Sequence, residues 1–254
     1  MIQDQLFTVV PLIFIVAILY SSVGHGGASG YLAVLSLIDI ATAPLVPLIL
    51  VLNVLVASIS FLNFRKPGDF KLSRLLPFIL TSIPAAYLGG MWKVTDAVFS
   101  LILGLALLAA GLRLIGVQPK SRKERLEGIA LWKIALPIGL VLGLVSGMIG
   151  IGGGVFLSPI LIFLGLTDTR GSAAMSSAFI VLNSLSGLLG HIDHITLSGP
   201  VFLSILGAGL AGALIGSNWG AFKLQARKLQ YVLAVVLLFA SVKLLISSAP
   251  LLGK

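Results

Sequence analysis

Ser146-Gly147-Met148-Ile149-Gly150-Ile151-Gly152-Gly153-Gly154-Val155-Phe156-Leu157-Ser158-Pro159-Ile160-Leu161 sets four glycines within residues 150–154 of an otherwise apolar run. About half the chain earlier stands a second cluster, Gly24-His25-Gly26-Gly27-Ala28-Ser29-Gly30. Glycine weakens a helix and bares its backbone. Broken backbone at membrane depth survives only where protein or a water-filled cavity surrounds it. Two such breaks at matching places in two halves point to a solute site between them.

The surrounding composition sets the solvent. Of 254 residues 58% are hydrophobic and 10% charged, and the mean hydropathy is +1.13. Soluble domains carry about 25% charged residues, so the chain reads as an all-α integral membrane protein. Its apolar runs approach the ~20 residues of a membrane helix and lack the period-two alternation of an outer-membrane barrel. With no cysteine, disulfides, thiol redox chemistry and thiolate metal sites are excluded. The net charge of +9 is assigned to cytoplasmic loops rather than to nucleic acid. Met1-Ile2-Gln3-Asp4-Gln5 lacks the basic region of a signal peptide, so Leu6 onward is expected to remain in the membrane.

Ten apolar segments are predicted: 6–23, 28–38, 45–62, 75–91, 97–116, 131–149, 154–165, 172–190, 200–218 and 229–248. Segments 28–38 and 154–165 are short, and each follows a glycine cluster. Loop 63–74 (Arg65, Lys66, Lys71, Arg74), loop 117–130 (Lys120, Arg122, Lys123, Arg125) and loop 219–228 (Lys223, Arg227, Lys228) are basic and belong in the cytoplasm. His191-Ile192-Asp193-His194 carries no Lys or Arg and belongs outside.

The halves resemble one another. Val51-Leu52-Asn53 matches Val181-Leu182-Asn183, Tyr87-Leu88-Gly89 through Trp92 matches Leu214-Ile215-Gly216 through Trp219, and Arg113 matches Lys243. Equivalent loops fall on opposite faces. The expectation is an inverted repeat of two five-segment halves, with about eight full spans, two half-helices and both termini outside. Its parts are a first repeat over 1–116, a basic linker over 117–130 and a second repeat over 131–254.

Inversion aims the N-termini of 28–38 and 154–165 at each other near the midplane. A helix N-terminus offers unsatisfied N–H groups and about half a positive charge, and glycine lets an anion approach it closely. The predicted anion cage comprises Gly24, His25, Gly26, Gly27, Ala28, Ser29, Gly150, Ile151, Gly152, Gly153 and Gly154. The duplicated mid-span Asn53 and Asn183 join it, as do Ser176 and Ser177 from a serine stripe that also holds Ser172, Ser184 and Ser186. His25 is the one titratable side chain placed deep in the membrane, and is the candidate to hydrogen-bond the anion or carry a coupled proton. Arg170, just before a helix, could reach a pathway mouth. Gly139, Gly143 and Gly147 form a small-residue packing face, as do Gly209, Gly212 and Gly216. His191 and His194 read as surface-loop residues, and no metal site is expected.

The stretch 146–161 resembles the second-half signature of the sulfite exporter TauE/SafE family, also called the toluene sulfonate uptake permease family. Arg170-Gly171-Ser172-Ala173-Ala174-Met175-Ser176-Ser177 followed by Asn183-Ser184-Leu185-Ser186-Gly187 is similar to its next helix. The resemblance implies a bacterial cytoplasmic-membrane permease moving sulfite, thiosulfate or an organosulfonate, with both glycine clusters lining the anion site. The first half departs at His25, Ala28 and Ala33, where the second has Ile151, Gly154 and Pro159. No cofactor is implied. The expected partners are the small anion and the bilayer; a homodimer is left open. An anion channel uses the same pore. A rhomboid-like intramembrane serine protease is the enzymatic alternative, from Gly27-Ala28-Ser29-Gly30, but it lacks a near general base.

Overall fold

The computed structural model describes residues 6–39, 43–67, 70–116, 126–191, 199–222 and 227–252. Among these the chain is helical: α1 Leu6–Ser21, α2 Ala28–Leu37, α3 Val46–Phe64, α4 Leu72–Met91, α5 Asp96–Ile115, α6 Gly128–Ile149, α7 Gly154–Phe163, α8 Thr169–Gly190, α9 Pro200–Phe222 and α10 Arg227–Leu252. Each predicted segment corresponds to one helix.

Local chemistry explains many of the ends. Asp168 precedes α8 and accepts the Gly171 N–H at 2.8 Å, and Thr95 accepts the Val98 N–H ahead of α5, as N-cap residues do. Gly150 closes α6 at φ 75° and Gly27 precedes α2 at φ 100°, a left-handed conformation that costs other residues more.

Six of the described helices are long and apolar enough to cross a bilayer: α3, α4, α5, α6, α8 and α9. The expectation of about eight full spans would add α1 and α10 to these six. Helix α1 has 16 residues, roughly 24 Å at 1.5 Å per residue against a hydrocarbon core of about 30 Å. It stops where the first glycine cluster begins. Helix α10 is apolar over Ala234–Ile246.

The packing pairs α4 with α6, α1 with α9, α5 with α10, and α3 with α8. Helix α4 also meets α8, and α3 meets α9. Small residues set the first two contacts. A Cβ on Gly139, Gly143 or Gly147 would strike the carbonyl oxygens of Phe78, Ser82 and Ala86, and one on Gly212, Gly216 or Gly220 those of Phe14, Ile18 and Ser22. Both expected glycine faces therefore pack, except that Gly209 faces Leu52 of α3 instead of α1. Helix α8 is the most interior span, with 61% of its apolar window buried, against 22% for α6. Exposed Ile129, Leu140 and Val141 give α6 an apolar outer face suited to lipid.

Candidate functional site at the two glycine breaks

The two breaks meet. Gly26 and Gly152 both lie against Asn53 of α3 and Ile180 of α8: a Cβ on Gly26 would run into Asn53 Oδ1 and stand 3.0 Å from Ile180 Cγ2, while one on Gly152 would stand 2.5 Å from Asn53 Nδ2 and 3.0 Å from Ile180 Cγ2. Side chains are excluded at both places because the backbone occupies the space between these two residues. Asn53 is fully buried. Its Oδ1 accepts the N–H of Ala28, first residue of α2, at 3.3 Å, and its Nδ2 donates to Ser184 Oγ at 2.9 Å. The backbone N–H can only donate, which fixes the orientation of the amide.

His25 spans the gap between the breaks. Its Nδ1 lies 3.1 Å from the Val23 carbonyl and its Nε2 lies 3.1 Å from Ser158 Oγ in α7. A carbonyl only accepts, so Nδ1 carries a proton. In the neutral ring Nε2 then accepts from Ser158, and Ser176 of α8, 2.7 Å from Ser158 Oγ, donates in turn. Ser177 Oγ lies 2.7 Å from both the Gly24 and Ala173 carbonyls, fastening the start of the first break to α8. Residues from α2, α3, α7 and α8 are thus joined through short polar contacts in an apolar interior.

The second break is less satisfied. Helix α7 starts at Gly154 with no side-chain cap. Ser146, on α6 beside Gly153, is buried with no hydrogen-bond partner for its Oγ among the described residues, and a Cβ on Gly153 would stand 2.6 Å from that oxygen. Ser146 also lines an open, almost wholly apolar groove of about 320 Å³ whose other walls are Ile102, Leu105 and Ala106 of α5, Leu142 and Val145 of α6, and Ile151 and Phe156. A buried hydroxyl without a partner has a cost of about 1–3 kcal/mol, which Ser60, Ser82 and Thr167 share elsewhere among the described residues.

The remaining candidate residues are spread around this centre. Gly24 abuts Ala173, Gly27 abuts Tyr31, and Gly154 abuts Ile180 and the Ser176 carbonyl. Tyr31 Oη donates to the Gly26 carbonyl at 3.0 Å. Gly150 at φ 75° stands against Val46, and Ile151 faces the groove. Ser29 donates to Tyr20 Oη at 2.9 Å, so its hydroxyl is engaged with α1 rather than with a histidine. Asn183 donates to the Phe179 carbonyl in its own helix, and its Oδ1 has no partner among the described residues. Arg170 is exposed in the first turn of α8.

Two residues differ from expectation in burial. His191 is not a surface-loop residue: it is the buried C-cap of α8, with Nδ1 2.9 Å from the Gly187 carbonyl. Arg74 is buried at the start of α4 and donates to the Leu166 carbonyl at 2.7 Å. Asp193 and His194 lie outside the described residues, and no cluster of metal-ligating side chains occurs among those described. Tyr20, Tyr31, Ser158 and Ile180 belong to the centre yet escaped sequence reasoning. Ser158 had a signal, since it sits four residues into the helix behind the second break.

Residues 9–244 match the family model for the sulfite exporter TauE/SafE. The chain belongs to the TauE/SafE family. Among TauE/SafE relatives, the probable membrane transporter protein y4hK of Sinorhizobium fredii is 33% identical over 242 residues, covering 91% of this chain and 95% of that protein. The probable membrane transporter protein YunE of Bacillus subtilis is 29% identical over 115 residues, 44% of this chain and 41% of that protein. The probable membrane transporter protein MamO of Paramagnetospirillum magneticum is 26% identical over 79% of this chain and 38% of its own length. No solved structure matches. Membership of TauE/SafE supports an integral membrane protein with a transporter role, which fits a protein that is not an enzyme.

Proposed function

We propose that this chain is a secondary transporter of a small sulfur-containing anion, such as sulfite, thiosulfate or an organosulfonate, across the bacterial cytoplasmic membrane. The observation that carries this is the convergence of both glycine breaks on Asn53 and Ile180. Main-chain amides at the starts of α2 and α7 and the orphan Ser146 hydroxyl supply donors for an oxyanion. His25, in the first break and bonded to Ser158 of α7, is the coupling group.

The helix pairings support an inverted repeat over 1–116 and 131–254, joined by 117–130. Pairing α1 with α9 has its counterpart in α6 with α4, and α3 with α9 in α8 with α4, while α3–α8 and α5–α10 each pair equivalent helices. With the basic loops inside, both termini lie outside.

The test uses the detergent-purified protein. A ligand that binds only the native state at about 100 times its Kd stabilises by ~2.7 kcal/mol. At least one of sulfite, thiosulfate and methanesulfonate is expected to raise the unfolding temperature, and Gly152→Leu to lose that shift while still inserting. No shift with any of the three, or an equal shift in Gly152→Leu, rejects the site.

A further inference from the structure

The two halves treat equivalent cations differently. Lys243 on α10 pairs with Asp39 at 2.8 Å and donates to the Leu37 carbonyl at 2.9 Å. It thereby clasps α10 to the carbonyl end of α2, where a cation complements the helix dipole. Matching Gly24 to Gly150 matches Asp39 to Gly165. Both residues make the left-handed turn after their short helix, at φ 58° and φ 70°, but the second-half residue is a glycine.

The carbonyl end of α7 is capped from elsewhere. Arg74 donates to the Leu166 carbonyl at 2.7 Å and the Leu126 N–H to the Leu164 carbonyl at 3.2 Å. Arg113, which matches Lys243, is therefore left over. It is half-buried on α5 and has no hydrogen bond or ion pair among the described residues.

Where α10 covers α2, α5 and α7 instead face each other across the apolar groove of about 320 Å³. Ile102 and Ala106 line that groove, and Arg113 lies on the same stripe of α5 about 10 Å further on, at seven residues and ~1.5 Å each. A partly desolvated guanidinium without a counter-ion is unfavourable unless an anion completes it, and its planar fork suits an oxyanion.

We infer that Arg113 is a binding residue for the transported oxyanion on the α5–α7 side of the glycine breaks, the place of its missing carboxylate being filled by substrate. This rests on the anion site proposed above. Lys243 is denied the same role because Asp39 already neutralises it.

The test is uptake of radiolabelled sulfite and thiosulfate into proteoliposomes of phosphatidylcholine alone. Losing a charge-assisted contact of this kind raises KM about tenfold or more. Arg113→Gln is expected to do so with the maximal rate changed far less, and Arg113→Lys to recover part of the loss. A wild-type KM in Arg113→Gln, or an Arg113→Lys no better than Arg113→Gln, overturns the assignment. So does a KM effect seen only when anionic lipid is added, since the headgroup is then the counter-ion. Saturable wild-type uptake that Gly152→Leu abolishes and Arg113→Gln leaves unchanged removes Arg113 alone. Absence of saturable wild-type uptake of both anions removes the site and Arg113 with it.

Discussion

Nε2 of His25 and Oγ of Ser158 stand 3.1 Å apart, so a side chain in the first glycine break is tied to the helix that begins at the second. No covalent neighbour enforces this contact, which joins residues 133 positions apart. Any movement that separates the breaks must part these two atoms or carry α7 along with the first break.

That contact predicts a coupled pair. Ser158→Ala leaves Nε2 without its donor, and His25→Gln shortens the acceptor. Each is expected to lower the unfolding temperature of the purified protein, at a cost of about 1 kcal/mol. The double variant should cost less than the sum, with a coupling of at least ~0.5 kcal/mol. Additive losses would mean that the two residues act independently. If His25 also carries a coupled proton, uptake by His25→Gln loses its response to an imposed pH gradient, while Ser158→Ala keeps it.

Asn53 and Asn183 occupy matching places in sequence but not in bonding. Asn53→Ala strands the Ala28 N–H and the Ser184 hydroxyl between two breaks. Asn183→Ala frees only a bond to its own helix. We expect Asn53→Ala to destabilise by about 2–3 kcal/mol and Asn183→Ala by about 1 kcal/mol or less, as denaturant unfolding in mixed micelles would read. Equal losses would place the two amides in equivalent roles.

Glycines of the packing faces differ from open ones. Gly147→Val drives a branched side chain into the Ala86 carbonyl and is expected to part α4 from α6, seen as aggregation on size-exclusion chromatography. Gly207→Ala, with open space around its added methyl, should keep the wild-type profile and gain up to ~1 kcal/mol from helix propensity. A monodisperse, wild-type-stable Gly147→Val would contradict close α4–α6 packing.

Sidedness can be read by labelling. The chain has no cysteine, and Lys66 and Gly199 are both exposed. A membrane-impermeant maleimide added to intact cells should modify Gly199→Cys and not Lys66→Cys, with the reverse in inside-out vesicles. Modification of both from one side would remove the inverted repeat.

Much was legible in the chain itself because the bilayer imposes simple rules. Lipid demands long apolar helices, so the ten runs and their approximate bounds follow from hydropathy, and the glycine clusters announce where helices must stop. Composition also settles the absence of thiol chemistry. Which side chains meet was decided only by tertiary packing. Ser158 reads as one more serine in an apolar helix until α7 folds beside the first break and presents it to His25. Arg74 reads as a loop charge until the end of α7 offers it a carbonyl. Asn53 and Asn183 look alike in sequence, but one bonds the start of α2 and Ser184 of α8 while packing against Gly152, whereas the other bonds along its own helix. Periodicity encodes which face of a helix is apolar; it does not encode the neighbour that face will find, because that depends on how every other helix has packed.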